Sequence, residues 1–247
     1  GCQVIDLSGA LPATQAPRVI PEVNAQILDG LVAPFQLSSP CSPAVAVAVV
    51  LAALREQVEV RRLSVTACLP VSSRGREGVS ELARQTAELL NGRPLEPRLF
   101  EHQMAFNLLA QVDKPDEQGH GMLERRVGEE LKQLMLLPDL QVSTSCLQVP
   151  VFFGDSISVA LQAAGPVNLQ AVLAQLASSS VLEYVEPGDF PSAVGDAVGQ
   201  DIPYVGRVRG GVDDPTELNL WITSDNLRKG AALNAVQLAE LLIKHYL

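Results

Sequence analysis

The sequence predicts an α+β fold: a mixed β-sheet with helices on one face, attached to the remnant of an α/β unit. Three observations carry this expectation: runs of strands with helices between them, strands that follow one another as hairpin-like pairs, and few strict strand–helix–strand units. The opening residues 1–9 read as a strand running into a Ser/Gly turn, with no lead-in loop. The chain is therefore expected to begin inside a domain.

Residues 12–43 hold six of the 17 prolines and read as an irregular connector. A helix should follow it, because Pro43 suits a first helical position and Ser42 can cap the free N–H groups. The Ala/Val/Leu run over 44–54 is apolar on all sides, so that helix should be buried. Over 63–71 Leu63, Val65, Ala67, Leu69 and Val71 alternate, which makes a half-buried strand. Residues 72–78 form its turn, and 77–91 place Val79, Leu82, Ala83, Leu89 and Leu90 on one helical stripe, ended by Gly92 in the left-handed position of a C-terminal cap.

A second amphipathic helix is expected over 121–136 and a third over 169–177, with strands over 142–153, 156–162, 181–185, 202–208 and 217–223. In the last of these Leu218, Leu220 and Ile222 share a face opposite Asn219, Trp221 and Thr223. A long helix over 226–246, capped by Ser224 or Asp225, closes the chain.

Composition excludes several classes. With 18 basic against 28 acidic residues, a net charge of −10 and basic residues scattered among acids, the chain lacks the cation clusters that a nucleic-acid binder needs. Its longest apolar stretch is about half of a membrane span. Cysteines stand singly at 2, 41, 68 and 146, without the spacing of a zinc site or a disulfide framework, so no metal is expected and a reducing cytoplasm is the default. A mean hydropathy of +0.18 fits a globular chain rather than a disordered one.

Cys41 stands out as a candidate nucleophile, because a thiol just before a helix feels the unpaired N–H groups and positive dipole end that favour thiolate. Its bland alternative is a small thiol packed at a helix start. His102, His120 and His245 lie in no motif and read as surface residues. Cys68 and Cys146 fall within strands and read as core thiols. The turn Val71-Ser72-Ser73-Arg74-Gly75-Arg76-Glu77-Gly78 joins a strand to a helix and could present N–H groups to an anion, or could be a plain turn and cap. Small residues around Gly230, Ala231 and Ala232 imply that something approaches the last helix closely, either a neighbouring strand or a flat ligand met by the Asn234 amide.

Several segments together resemble the aspartate-semialdehyde dehydrogenase family. They are Val4-Ile5-Asp6-Leu7-Ser8, Val19-Ile20-Pro21-Glu22-Val23-Asn24, Pro40-Cys41-Ser42, Ala105-Phe106-Asn107, Val205-Gly206-Arg207-Val208-Arg209, Leu218-Asn219-Leu220-Trp221, and the long block 225–236. The resemblance implies a catalytic and dimerisation domain over 41–225, with 1–40 and 226–247 as the remnant of a Rossmann nucleotide-binding domain whose N-terminal half is missing from this chain. It implies a homodimer, NADP as cofactor, and Ser8, Ser72, Gly75 and Asn234 as cofactor-contacting positions. Family enzymes attack the aldehyde carbon with a cysteine thiolate, pass hydride to NADP and release an acyl phosphate. Cys41 falls on the nucleophile's position.

Other catalytic positions depart from the family pattern. Leu69 stands at the family's Gln, Gln148 at its substrate-binding Arg, and Asp155 at its acid/base His. Pro40 replaces the Asn before the cysteine, and Pro12 the Arg after the Ser-Ala turn. The family also keeps a Glu and a Lys in the helix around 124–126, and no role is transferred there. Loss of a positioned acid/base typically removes about 10²–10⁴-fold in rate. An Asp with an ordinary pKa near 3.9 is ionised at neutral pH, donates protons poorly and repels anionic substrates. The expectation is a divergent family member without that dehydrogenase activity. Two alternatives stand beside it: an oxidoreductase using Cys41 on a less anionic aldehyde, and a non-catalytic scaffolding or binding protein.

Overall fold

A computed structural model describes residues 2–30 and 34–246. Residue 1 of the expected opening strand, 31–33 of the connector and 247 of the closing segment lie outside the described residues. The elements, in chain order, are β1 (Val4–Asp6), α1 (Pro21–Asn24), β2 (Gln36–Ser38), α2 (Ser42–Leu54), β3 (Val60–Leu69), α3 (Gly75–Leu90), α4 (Met122–Leu134), β4 (Gln141–Gln148), β5 (Asp155–Ala163), α5 (Leu169–Ala177), β6 (Glu183–Tyr184), β7 (Tyr204–Gly210), β8 (Glu217–Ser224) and α6 (Leu233–Tyr246).

Six strands form one mixed sheet in the order β4-β3-β5-β8-β7-β6. Its β3–β4 and β6–β7 pairs are parallel, and β3–β5, β5–β8 and β7–β8 are antiparallel. Alternation decides its two faces. Leu63, Val65 and Ala67 of β3 lie in register with Leu161, Val159 and Ile157 of β5 and, across β5, with Leu218, Leu220 and Ile222 of β8, and all are buried in one core together with Leu69. The intervening positions, such as Ser64, Thr66, Ser158, Asn219 and Trp221, are exposed or half-buried. The α+β expectation with a mixed sheet therefore holds.

Helix α2 is the centre of that core. Ten of its 13 residues are buried, and it contacts α1, α4, α5, β5 and β8. Alanines and valines make this possible, because their short side chains let neighbours approach on every side. A smaller apolar cluster, Val19, Leu28, Phe35, Leu37, Leu238 and Leu242, gathers the first forty residues and α6 into a second core. There β1 and β2 pair in parallel.

The structure corrects several local expectations. The connector is not irregular throughout: it holds α1, a 3₁₀ helix over Ala25–Gly30 and β2. Ser42 is the first residue of α2 and not its cap. Cys41 takes the cap position, and its side chain makes no capping bond. The strand expected over 142–153 stops at Gln148, where Pro150 has no N–H to donate and the Val149 and Val151 amides turn to Leu69 O and Val149 O. Cys146 is a core thiol, but Cys68 is only half-buried. The closing helix starts late, after a π-turn over Arg228–Ala232. Asp225 Oδ1 accepts the Leu227 and Arg228 amides, as a cap should.

That π-turn explains the small residues. A Cβ on Gly230 would overlap Ser42 Oγ and sit 2.6 Å from Ser42 Cβ and 3.2 Å from its Cα. The close neighbour of Gly230 is thus the head of α2. The same turn buries Lys229, whose Nζ bonds Glu22 Oε1 at 2.6 Å and Gln237 Oε1 at 2.7 Å. Gly230→Ala should therefore destabilise the protein by about 1–3 kcal/mol, the usual cost of overpacking, read as a lower urea midpoint with an unchanged m-value.

Candidate functional site

The site is built around the head of α2. A helix begins with N–H groups that lack intrahelical partners, and here the head is enclosed by protein. The Cys41 amide donates to Glu130 Oε2 at 2.7 Å. Glu130 comes from α4, on the same buried stripe as Val127, Leu131 and Leu134, and is only 2% exposed. Its other oxygen accepts from Arg126 Nε at 2.8 Å and lies 3.7 Å from Arg18 Nε. Arg126 in turn donates from Nη1 to Ser8 O at 3.0 Å, and its guanidinium covers Gly9, where an added Cβ would overlap it. Gly9 has φ +73°, so the loop can lie flat on the arginine.

Asp6 shapes that loop. Its Oδ1 accepts from the Ser8 amide and hydroxyl at 2.8 and 2.6 Å, and its Oδ2 from the Leu11 amide at 3.1 Å. Partial burial pushes the Asp6 carboxyl up, but these donors outweigh it and hold the pKa at about 2.

The electrostatics of Cys41 oppose the expectation from the helix terminus. Burial raises the thiol pKa well above its ordinary value, the Glu130 carboxylate raises it further, and Arg126 only partly offsets them. A helix-end dipole acts through partial charges, whereas Glu130 is a full charge at hydrogen-bond distance.

Next to Cys41, the Ser42 hydroxyl donates a short hydrogen bond to Asp155 Oδ2. Asp155 is 1% exposed, and its Oδ1 has no partner. Burial raises its carboxyl to a pKa of about 7, Asp225 adds to the rise, and the Ser42 bond opposes it. The ordinary carboxylate expected from sequence is thus corrected by desolvation.

Leu69 is packed in the core. Gln148 is buried, with Nε2 donating to Leu69 O and Pro70 O, both at 2.8 Å. Ser72 Oγ accepts from Asn226 Nδ2 at 3.1 Å, and Asn226 Oδ1 accepts the Gly154 amide at 3.0 Å. Gly75 begins α3 at φ +70°, with open space where a Cβ would stand. Asn234 is fully buried and donates to Val19 O and Ser39 Oγ at 3.1 and 2.9 Å, while its Oδ1 has no partner. Ser8 is tied into the Asp6 turn.

Glu130, Arg126 and Arg18 did not emerge as site residues from the sequence. Glu130 had a signal, since an acid spaced three and four residues from Val127 and Leu134 sits on an apolar stripe. Among the described residues no group of three or more His, Cys, Asp or Glu side chains is placed to hold a metal, and no helix is long and apolar enough to cross a membrane.

A buried helix headed by a cysteine is thus set against a mixed sheet and joined to a second core made from both chain ends. Residues 51–229 match the family model for the semialdehyde dehydrogenase dimerisation domain. A USG-1 protein homolog of Azotobacter vinelandii is 62% identical over 244 residues, covering 99% of this chain and 73% of that protein. Aspartate-semialdehyde dehydrogenase 2 of Vibrio cholerae is 36% identical over 93% of this chain and 68% of its own length. The solved structure of a probable aspartate-semialdehyde dehydrogenase from Pseudomonas aeruginosa superposes with a TM-score of 0.96 at 59% identity, covering 100% of this chain and 74% of that one. The chain belongs to the aspartate-semialdehyde dehydrogenase family.

The raised Asp155 pKa has a consequence for stability. Between about pH 4 and 7 the folded carboxyl keeps its proton while the unfolded one has lost it, so stability falls as pH rises through this window. Asp155→Asn should remove that contribution. Melting temperatures at pH 5 and 7.5 should differ less in the variant than in the natural protein.

Proposed function

We propose that this protein keeps the family scaffold and its dimer but does not carry out the phosphorylating dehydrogenation of aspartate semialdehyde. The observation that supports this reading most directly is where the three replaced side chains go. Asp155 is engaged with Ser42, Gln148 gives its amide to backbone carbonyls, and Leu69 is packed in the core. None offers a guanidinium fork for a carboxylate, which is what orients an anionic substrate for attack. Cys41, with its raised pKa, holds little thiolate at neutral pH.

In this reading residues 1–40 and 226–247 are part of a nucleotide-binding unit, which the shared second core and the parallel β1–β2 pair support. Parallel strands are ordinarily parts of larger sheets covered on both faces. The homodimer is supported by the match to a dimerisation-domain family, and cytoplasmic residence by the four unpaired cysteines. NADP, when bound, would supply a hydride acceptor, and Asn234 Oδ1, a buried acceptor without a partner, is the residue offered to its carboxamide.

The uncharged side chains of Gln148 and Leu69 favour a second reading, an aldehyde oxidoreductase with Cys41 as nucleophile and a less anionic substrate. A third, non-catalytic scaffolding, follows if no cofactor binds.

With full-length protein, aspartate semialdehyde, NADP and phosphate, no NADPH absorbance should accumulate above the rate without protein. Turnover near the ~10 s⁻¹ typical of enzymes would overturn the proposal. Calorimetric titration with NADP separates the two remaining readings: saturable binding supports the oxidoreductase, and its absence at millimolar cofactor supports the scaffold.

A further inference from the structure

We propose that Glu130 is a positioning residue for Cys41: it holds the Cys41 peptide at the head of α2 and keeps the side chain a neutral thiol, so that the balance between Glu130 and Arg126 decides when Cys41 reacts. The geometry is a single carboxylate used on both sides. Oε2 accepts the Cys41 amide, and Oε1 accepts Arg126 Nε with Arg18 3.7 Å away. Glu130 is almost completely buried, and a carboxylate can occupy such a place only with charged or hydrogen-bonding partners.

Arg126 is the cation that could stabilise a thiolate, but it is already committed. Nε serves Glu130, Nη1 serves Ser8 O, and the Gly9 loop covers the guanidinium. The charged groups around Cys41 are thus Glu130 and Arg126 from α4 and Arg18 from the connector, with Asp6 acting on Arg126 from its loop. A second negative charge on Cys41 would face Glu130 directly. The raised thiol pKa agrees with this arrangement.

The device acts on the same site as the proposed function but does not require the loss of turnover. Its test uses no substrate, so the two can fail separately. Full-length protein is alkylated with iodoacetamide across pH 6–10, and each cysteine is followed by peptide mass spectrometry, with exposed Cys2 as the internal standard. Glu130→Gln keeps an amide oxygen for the Cys41 N–H and removes the charge. Its Cys41 profile should move to lower pH, with alkylation at pH 8 rising about threefold to tenfold, since one pKa unit changes thiolate tenfold and nucleophilicity falls partly in step. Arg126→Gln should move the profile the other way.

A Glu130→Gln profile that stays in place or moves to higher pH would overturn the proposal. If that variant does not fold, Arg126→Gln decides: a shift to higher pH supports the proposal, and an unchanged profile overturns it.

Discussion

The head of α2 is the constraint on which the rest of this structure depends. A helix apolar on every side can be placed in the middle of a core, but its first N–H groups are then enclosed with it. The chain meets this with buried polar groups brought from far away in sequence. Glu130 takes the Cys41 amide, Asp155 takes the Ser42 hydroxyl, and Gly230 lets the π-turn close over the same point. Each partner carries a desolvation penalty of its own, so Arg18 and Arg126 are drawn in around Glu130, and Asp155 responds by holding its proton.

The same arrangement decides the chemistry. Two carboxyls flank the first residues of α2: Glu130, which raises the Cys41 thiol pKa, and Asp155, with a pKa of about 7. In the proposed reading Asp155 stands where the family pattern has a histidine, and it accepts a hydrogen bond from Ser42. In that reading Gln148 stands where the family has an arginine, and it satisfies two carbonyls left at the end of β3. Both replacements are well accommodated as structure.

Much of the fold was legible in the residues. Alternation located β3, β5 and β8, and the 3.6-residue stripe located α3, α4 and α5 to within a few residues, because each buries one face and leaves the other in water. Gly92 at φ +63° ended α3 as expected of a left-handed cap. Short elements were not legible: α1 and β2 hold three or four residues each, too few for a period to show. The site was legible only in part. Cys41, Asp155 and Gln148 were visible as residue types at particular places, but Glu130 gave no more than an acid on an apolar stripe.

The sequence by itself determined most of the longer helices and strands and the all-round apolar character of α2, because these depend on local pattern and composition. Only the tertiary structure decided protonation and direction. Sequence places Cys41 at a helix start, where thiolate is favoured, and Asp155 among ordinary carboxylates. Burial and neighbours as distant in sequence as Glu130 and Asp225 reverse both, because an ionisable group responds to the charges and solvent around it, which chain folding alone brings together.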